Sequence, residues 1–117
     1  MSVQITRFVT NQRMSQAVSY GGFVFLAGQV AADPSQDVKG QTTQILKRID
    51  ELLEQAGTDK AKVLSANIWL ADYRTFNEMN EVWDSWVPEG HAPARACVES
   101  ALAFPQFTVE IGVIAAA

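Results

Sequence analysis

The chain has 117 residues, 48% hydrophobic and 19% charged, the size and balance of one globular domain over 1–117. Its formal net charge of −4 argues against a general nucleic-acid or anionic-membrane binder, and its single cysteine excludes an internal disulfide framework. One histidine with one cysteine does not make a zinc site, no apolar run approaches a membrane span, and residues 1–8 have no secretory pattern, so the cytoplasm is the expected location.

Residues Val3 to Val9 alternate as a first strand, and Thr10 to Gln16 is polar with Met14 its only large apolar side chain. Ala17 to Tyr20 reads as a second short strand, and Gly21-Gly22 as a tight turn. The run FVFLAGQV, Phe23 to Val30, has no polar face, so the expectation is a strand buried on both sides, with Gly28 marking a bulge or a close backbone approach.

Asp37 is an N-cap for a helix to Ala56, with Ile45, Ile49, Leu52 and Ala56 on one stripe and Gly57 as terminator. Lys62 to Leu70 is the next strand, with Leu64, Ala66, Ile68 and Leu70 expected on one face. Asp72-Tyr73 opens a second helix to about Trp86, where Phe76, Met79, Trp83 and Trp86 recur at helical spacing and Asn80 sits at the edge of that face. Pro88 and Gly90 end it.

Residues 94–100 form a strand entered through Pro93, with Arg95, Cys97 and Glu99 on one side and Ala94, Ala96 and Val98 on the other. Phe107 to Ala115 is the last strand, with Val109, Ile111 and Val113 opposed to Thr108, Glu110, Gly112 and Ile114. The order β-β-β-α-β-α-β-β implies an α+β domain, a mixed sheet with two helices on one face. The second apolar face then calls for oligomerisation.

No P-loop, GxSxG or HExxH motif is present. Arg95, flanked by alanines, needs an acidic partner or an anion, and its planar fork matches a carboxylate. Glu110 lies in an otherwise apolar strand, where burial raises a carboxyl pKa and suits it to handling water or a proton. Drawn from these residues alone, 94–100 and 107–115 make a hairpin that sets Arg95 opposite Glu110, so a neutralised structural pair and an open anion site both stand. A lone cysteine such as Cys97 is more often a small hydrophobe than a nucleophile, and His91 reads as a loop residue.

"PARACVE" followed by "VEIGVIA", together with "FVFLAGQVAAD", "QTTQILKRIDELLEQAG", "KVLSANIWLADY" and "FNEMNEVWDSW", resembles the Rid (reactive intermediate deaminase, RidA/YjgF-like) family from about Ser15 to Ala115. The resemblance implies a chorismate-mutase-like fold and a homotrimer with the sheets around a central barrel and clefts between subunits. It sets the Lys62–Leu70 strand between the last two, against the hairpin, and turns Arg95 and Glu110 into a cleft.

It further implies cofactor-free hydrolysis of enamines and imines, such as 2-aminoacrylate, to 2-keto acids and ammonia. In that pattern Arg95 holds the substrate carboxylate and Glu110 positions the water. Cys97, Gly28 and Asn80 line the cleft, with Met14 and Ala27 standing where well-known members have tyrosine and serine. The lost hydroxyls leave the substrate open, and 2-aminomuconate is one alternative within the same fold. The other reading is a non-catalytic ligand-binding or chaperone-like trimer. A ribonuclease role fits poorly with a charge of −4 and no paired histidines.

Overall fold

A computed structural model describes residues 4–117. Strands β1 (Thr6–Thr10), β2 (Ser15–Tyr20) and β3 (Phe23–Leu26) form an antiparallel meander. Helix α1 (Val38–Gln55), strand β4 (Val63–Leu70), helix α2 (Phe76–Trp86), and strands β5 (Ala94–Glu99) and β6 (Val109–Ala116) follow. All six strands join one sheet in the order β1-β2-β3-β6-β4-β5. Both helices cover one face, giving the mixed sheet and one-sided helical layer that the pattern predicts. Of the expected first strand, Val3 lies outside the described residues.

Local chemistry explains most boundaries. Gly21 and Gly22 have φ of +61° and +86°, the left-handed pair of a two-residue hairpin turn that most side chains resist. Asp37 caps α1 by accepting from Gly40 N at 2.9 Å. Asp72 instead caps a short 3-10 turn, Tyr73–Thr75, so α2 begins three residues later than the sequence suggests, at Phe76.

The hairpin of the last two strands does not form. β4 inserts between them, parallel to β5 and antiparallel to β6. Segment 100–108 is therefore a crossing rather than a tight turn. Strand β3 also departs from expectation. Only Val24 and Leu26 are buried, while Phe23 and Phe25 are 45% and 41% exposed. The helices cover a single face, so within this chain the strand is half-buried and alternates. In β4, a register irregularity between Val63 and Ser65 exchanges the expected faces: Val63 enters the core and Leu64 turns outward.

The core lies between sheet and helices: Ile45, Ile49, Leu52 and Leu53 of α1 meet Ile68, Leu70, Val109 and Ile111 of the central strands. The helices are joined by Met79, Trp83 and Trp86, and Trp86 donates its ring N–H to Asp50 at 3.0 Å. The fully buried Gln41 ties the loops together. Its amide nitrogen serves the carbonyls of Pro34, Gln36 and Gln106, and its oxygen accepts from Thr108 N at 2.9 Å. Replacing Gln41 by leucine strands these groups without water. We expect Gln41→Leu to cost about 2–3 kcal/mol, read as a fall of about 10 °C in the thermal midpoint; an unchanged midpoint refutes this role.

Candidate functional site

Arg95 lies on edge strand β5 beside Ala66 of β4, and so on the helix-covered face. Its side chain reaches α2. Arg95 Nη1 donates to Asn80 Oδ1 at 2.7 Å, and the guanidinium lies 5.2 Å from the Trp83 ring centre and 5.7 Å from that of Phe76. Among the described residues it has no carboxylate partner. An amide and two aromatic faces fix its position by hydrogen bonding and cation–π attraction while leaving its charge uncompensated. Cys97, one step along the same face, packs on the core, and burial pushes its thiol pKa up more than nearby Arg95 pulls it down. That is the chemistry of a packing residue rather than a thiolate nucleophile. Glu99 accepts from Tyr73 N at 3.0 Å and supports the turn before α2.

Glu110 lies on the opposite face. It pairs across the sheet with Trp69, which pairs with Val98 of β5, and all three point away from the helices. Its carboxyl has no hydrogen-bond or ion-pair partner among the described residues, and burial raises its pKa above the ordinary glutamate value. Arg95 and Glu110 therefore neither neutralise one another nor meet within one chain. A cleft containing both must draw them from two chains.

The bulge expected at Gly28 is present. Phe25 pairs with Ile114 in regular register, but the next bridge is Gln29 with Ile111, so Ala27 and Gly28 together face Gly112. A Cβ on Gly28 would run into the Glu110 carboxylate and lie 3.0 Å from its Cδ, which is why only glycine fits while Glu110 keeps this pose. Ala27 N donates to Gln16 O at 2.9 Å, and the Ala27 carbonyl accepts from the buried Gln29 side chain at 2.9 Å. Met14 and Gly28 share a cleft beside this bulge. His91 Nδ1 is 2.9 Å from the Glu89 carbonyl and takes no part in either grouping.

The residues named from the sequence thus fall into two groups, candidate half-sites. Arg95, Asn80 and Cys97 form one on the helix side of β5; Glu110, Ala27, Gly28 and Met14 form the other around the β3–β6 bulge. Reading from spacing missed the shelf under Arg95, because Trp83 and Phe76 share a stripe with core residues. The only hint was that Trp83 follows Asn80 by three positions, on the same side of the helix.

Burial of Glu110 carries a stability consequence with a definite sign. A carboxyl whose pKa is higher in the folded state binds more protons there, so stability declines as pH rises from the ordinary glutamate value through the raised one. Glu110→Gln is expected to melt at or above the wild type at pH 7, with the gap closing below about pH 4. A wild type that gains on the variant as pH rises refutes this environment for Glu110.

Comparison with known proteins places the chain firmly. A family profile described as Endoribonuclease L-PSP matches residues 4–117. A RutC family protein of Haemophilus ducreyi is 43% identical over 112 residues, covering 96% of each chain. The RutC family protein YoaB of Escherichia coli is 38% identical, covering 96% of this chain and 97% of its own. A crystal structure of a YjgF family member from Neisseria meningitidis superposes with a TM-score of 0.95 at 45% identity, covering 97% of this chain and 95% of that one. The chain therefore belongs to the Endoribonuclease L-PSP family, whose members also carry the names RutC and YjgF.

Proposed function

We propose that this protein is a cofactor-free deaminase that hydrolyses enamine or imine intermediates bearing a carboxylate, giving 2-keto acids and ammonia. The observation that carries the reading is Arg95, a guanidinium held by Asn80, Trp83 and Phe76 with its charge uncompensated. Of its five N–H donors, Asn80 occupies one, which leaves a free fork for a carboxylate.

The reading includes a homotrimer. Phe23, Phe25 and Val98, each at least 41% exposed, lie on the sheet face that the helices leave open, together with Trp69 and Glu110. Packing this face between copies buries apolar surface, and β5 is an edge strand, so the proposed trimer sets Arg95 around that edge toward the Glu110 half-site of the next chain. Each cleft then contains a carboxylate clamp and a carboxyl that handles water.

The chemistry asks little of the protein. Protonation of an enamine at carbon gives an imine whose carbon is electrophilic. Glu110 positions a water on that carbon and receives one of its protons, forming a carbinolamine. Returning the proton to nitrogen lets the C–N bond break, so ammonia leaves and the carbonyl forms. A Glu110 pKa raised by burial suits a group that must both take and give a proton near neutrality. Fixing the substrate carboxylate on Arg95 supplies orientation. Cys97 lines the clamp as a wall, in keeping with its packing.

The family profile carries the word endoribonuclease, but the residues do not favour that chemistry here. The chain bears a net charge of −4, and its one histidine is engaged with the Glu89 backbone.

The test is a coupled assay in which a pyridoxal-phosphate dehydratase makes 2-aminoacrylate from serine and semicarbazide traps the free imine. The wild type should lower semicarbazone formation. Arg95→Ala should fold normally and lose turnover by two to three orders of magnitude, since losing a bidentate contact to the substrate carboxylate costs about 2–5 kcal/mol. A turnover-competent Arg95→Ala refutes the clamp; a wild type that binds 2-keto acids but never turns over imines makes the protein a ligand-binding trimer instead. Gly28→Ala should disturb the site more than the fold, because the clash falls on the mobile end of Glu110. We expect kcat to drop at least about tenfold, with the thermal midpoint nearly unchanged; full activity would separate Gly28 from the site.

A further inference from the structure

The cleft that Met14 and Gly28 share has a volume of about 600 Å³ and lies between the β1–β2 turn, the segment after the bulge, and α1. Gly28 is among its lining residues and also lies against the Glu110 carboxylate, so the cleft and the proposed reacting centre share this one residue as a common wall. Val9, Met14 and Val30 supply apolar wall. Val9 has φ of +50°, a left-handed conformation that a β-branched residue rarely adopts. Backbone of this kind concentrates at binding and catalytic sites.

The rim contributed by α1 is cationic. Lys47 has no ion pair or hydrogen bond among the described residues. Arg48 meets only Glu51, at a long 3.4 Å. Glu51 is the one carboxylate lining the cleft, against two cations, so a net positive charge remains. Gln44 offers nothing further, since both ends of its amide are bound to the Asp33 backbone.

We propose that this cleft receives the portion of the substrate beyond the imine, and that Lys47 selects substrates carrying a second, distal carboxylate. This rests on the deaminase reading given above, and it makes imines of dicarboxylic amino acids the preferred substrates. An apolar wall followed by a cation suits a short methylene chain ending in a carboxylate. Met14 serves the wall better than a hydroxylated residue would, because it lies against those methylenes rather than the acid group.

The inference is tested by binding, independently of turnover. Dissociation constants for 2-oxoglutarate and 2-oxobutanoate are measured by calorimetry at low salt on wild type, Lys47→Met and Lys47→Arg. The wild type should bind the dicarboxylate more tightly. Lys47→Met should cut that preference by about fivefold and Lys47→Arg should retain it, with 0.5 M salt eroding it as screening requires. Equal binding of both acids by the wild type, or a preference indifferent to Lys47→Met, overturns the proposal. Failure of the deaminase reading is seen separately, as absence of turnover in the semicarbazide assay with either class of imine.

Discussion

The double pairing of β4 governs everything else in this molecule. By running parallel to β5 and antiparallel to β6, it keeps the strands that carry Arg95 and Glu110 one strand apart. The register does the rest. Arg95 aligns with Ala66, on the covered face, while Glu110 aligns with Trp69, on the open one. Had the strands paired directly, the guanidinium and carboxylate would have cancelled. Held apart, each is left chemically unsatisfied, and each has been given neighbours that tolerate this: an amide and two rings for the cation, a glycine and a half-buried wall for the acid.

How much of this could be read from the chain follows from how local each signal is. Asp37, the Gly21-Gly22 turn, the apolar stripe of α1 and the bulge at Gly28 depend on a few adjacent residues, and all are where the pattern places them. The insertion of β4 depends on residues some thirty positions away, and nothing in the alternation of 94–100 or 107–115 encodes it; the family resemblance supplied it. Leu64 and Val63 exchanged faces because one register irregularity inverts a period of two. Phe23 and Phe25 looked like core because hydrophobicity does not distinguish a second layer of the same chain from the surface of another. Trp83 was legible as a core residue, which it is, but its second task under Arg95 shows only when β5 is brought alongside α2.

Buried polar groups mark where separate parts of the chain have to agree. Gln41 joins the loop before α1 to the entry of β6, so one amide fixes the approach of the strand that carries Glu110. Gln29 does similar work across the bulge, donating to Gln16 and to the Ala27 carbonyl. Neither residue needs to touch a ligand for the half-site around Gly28 to depend on it. A buried polar side chain with its hydrogen bonds made specifies one arrangement in a way that apolar packing does not.

The place of β6 also bears on how the protein is made. It is the last strand of this sequence to leave the ribosome, yet it occupies the middle of the sheet, joining the β1–β3 meander to the β4–β5 pair. Until it emerges, the nascent chain holds two partial sheets whose exposed inner edges have no partner. Folding of the sheet must therefore wait until β6 is available, and those edges stay open to pairing with other chains in the interval. Loss of β6 would divide the domain through its centre rather than trim its margin.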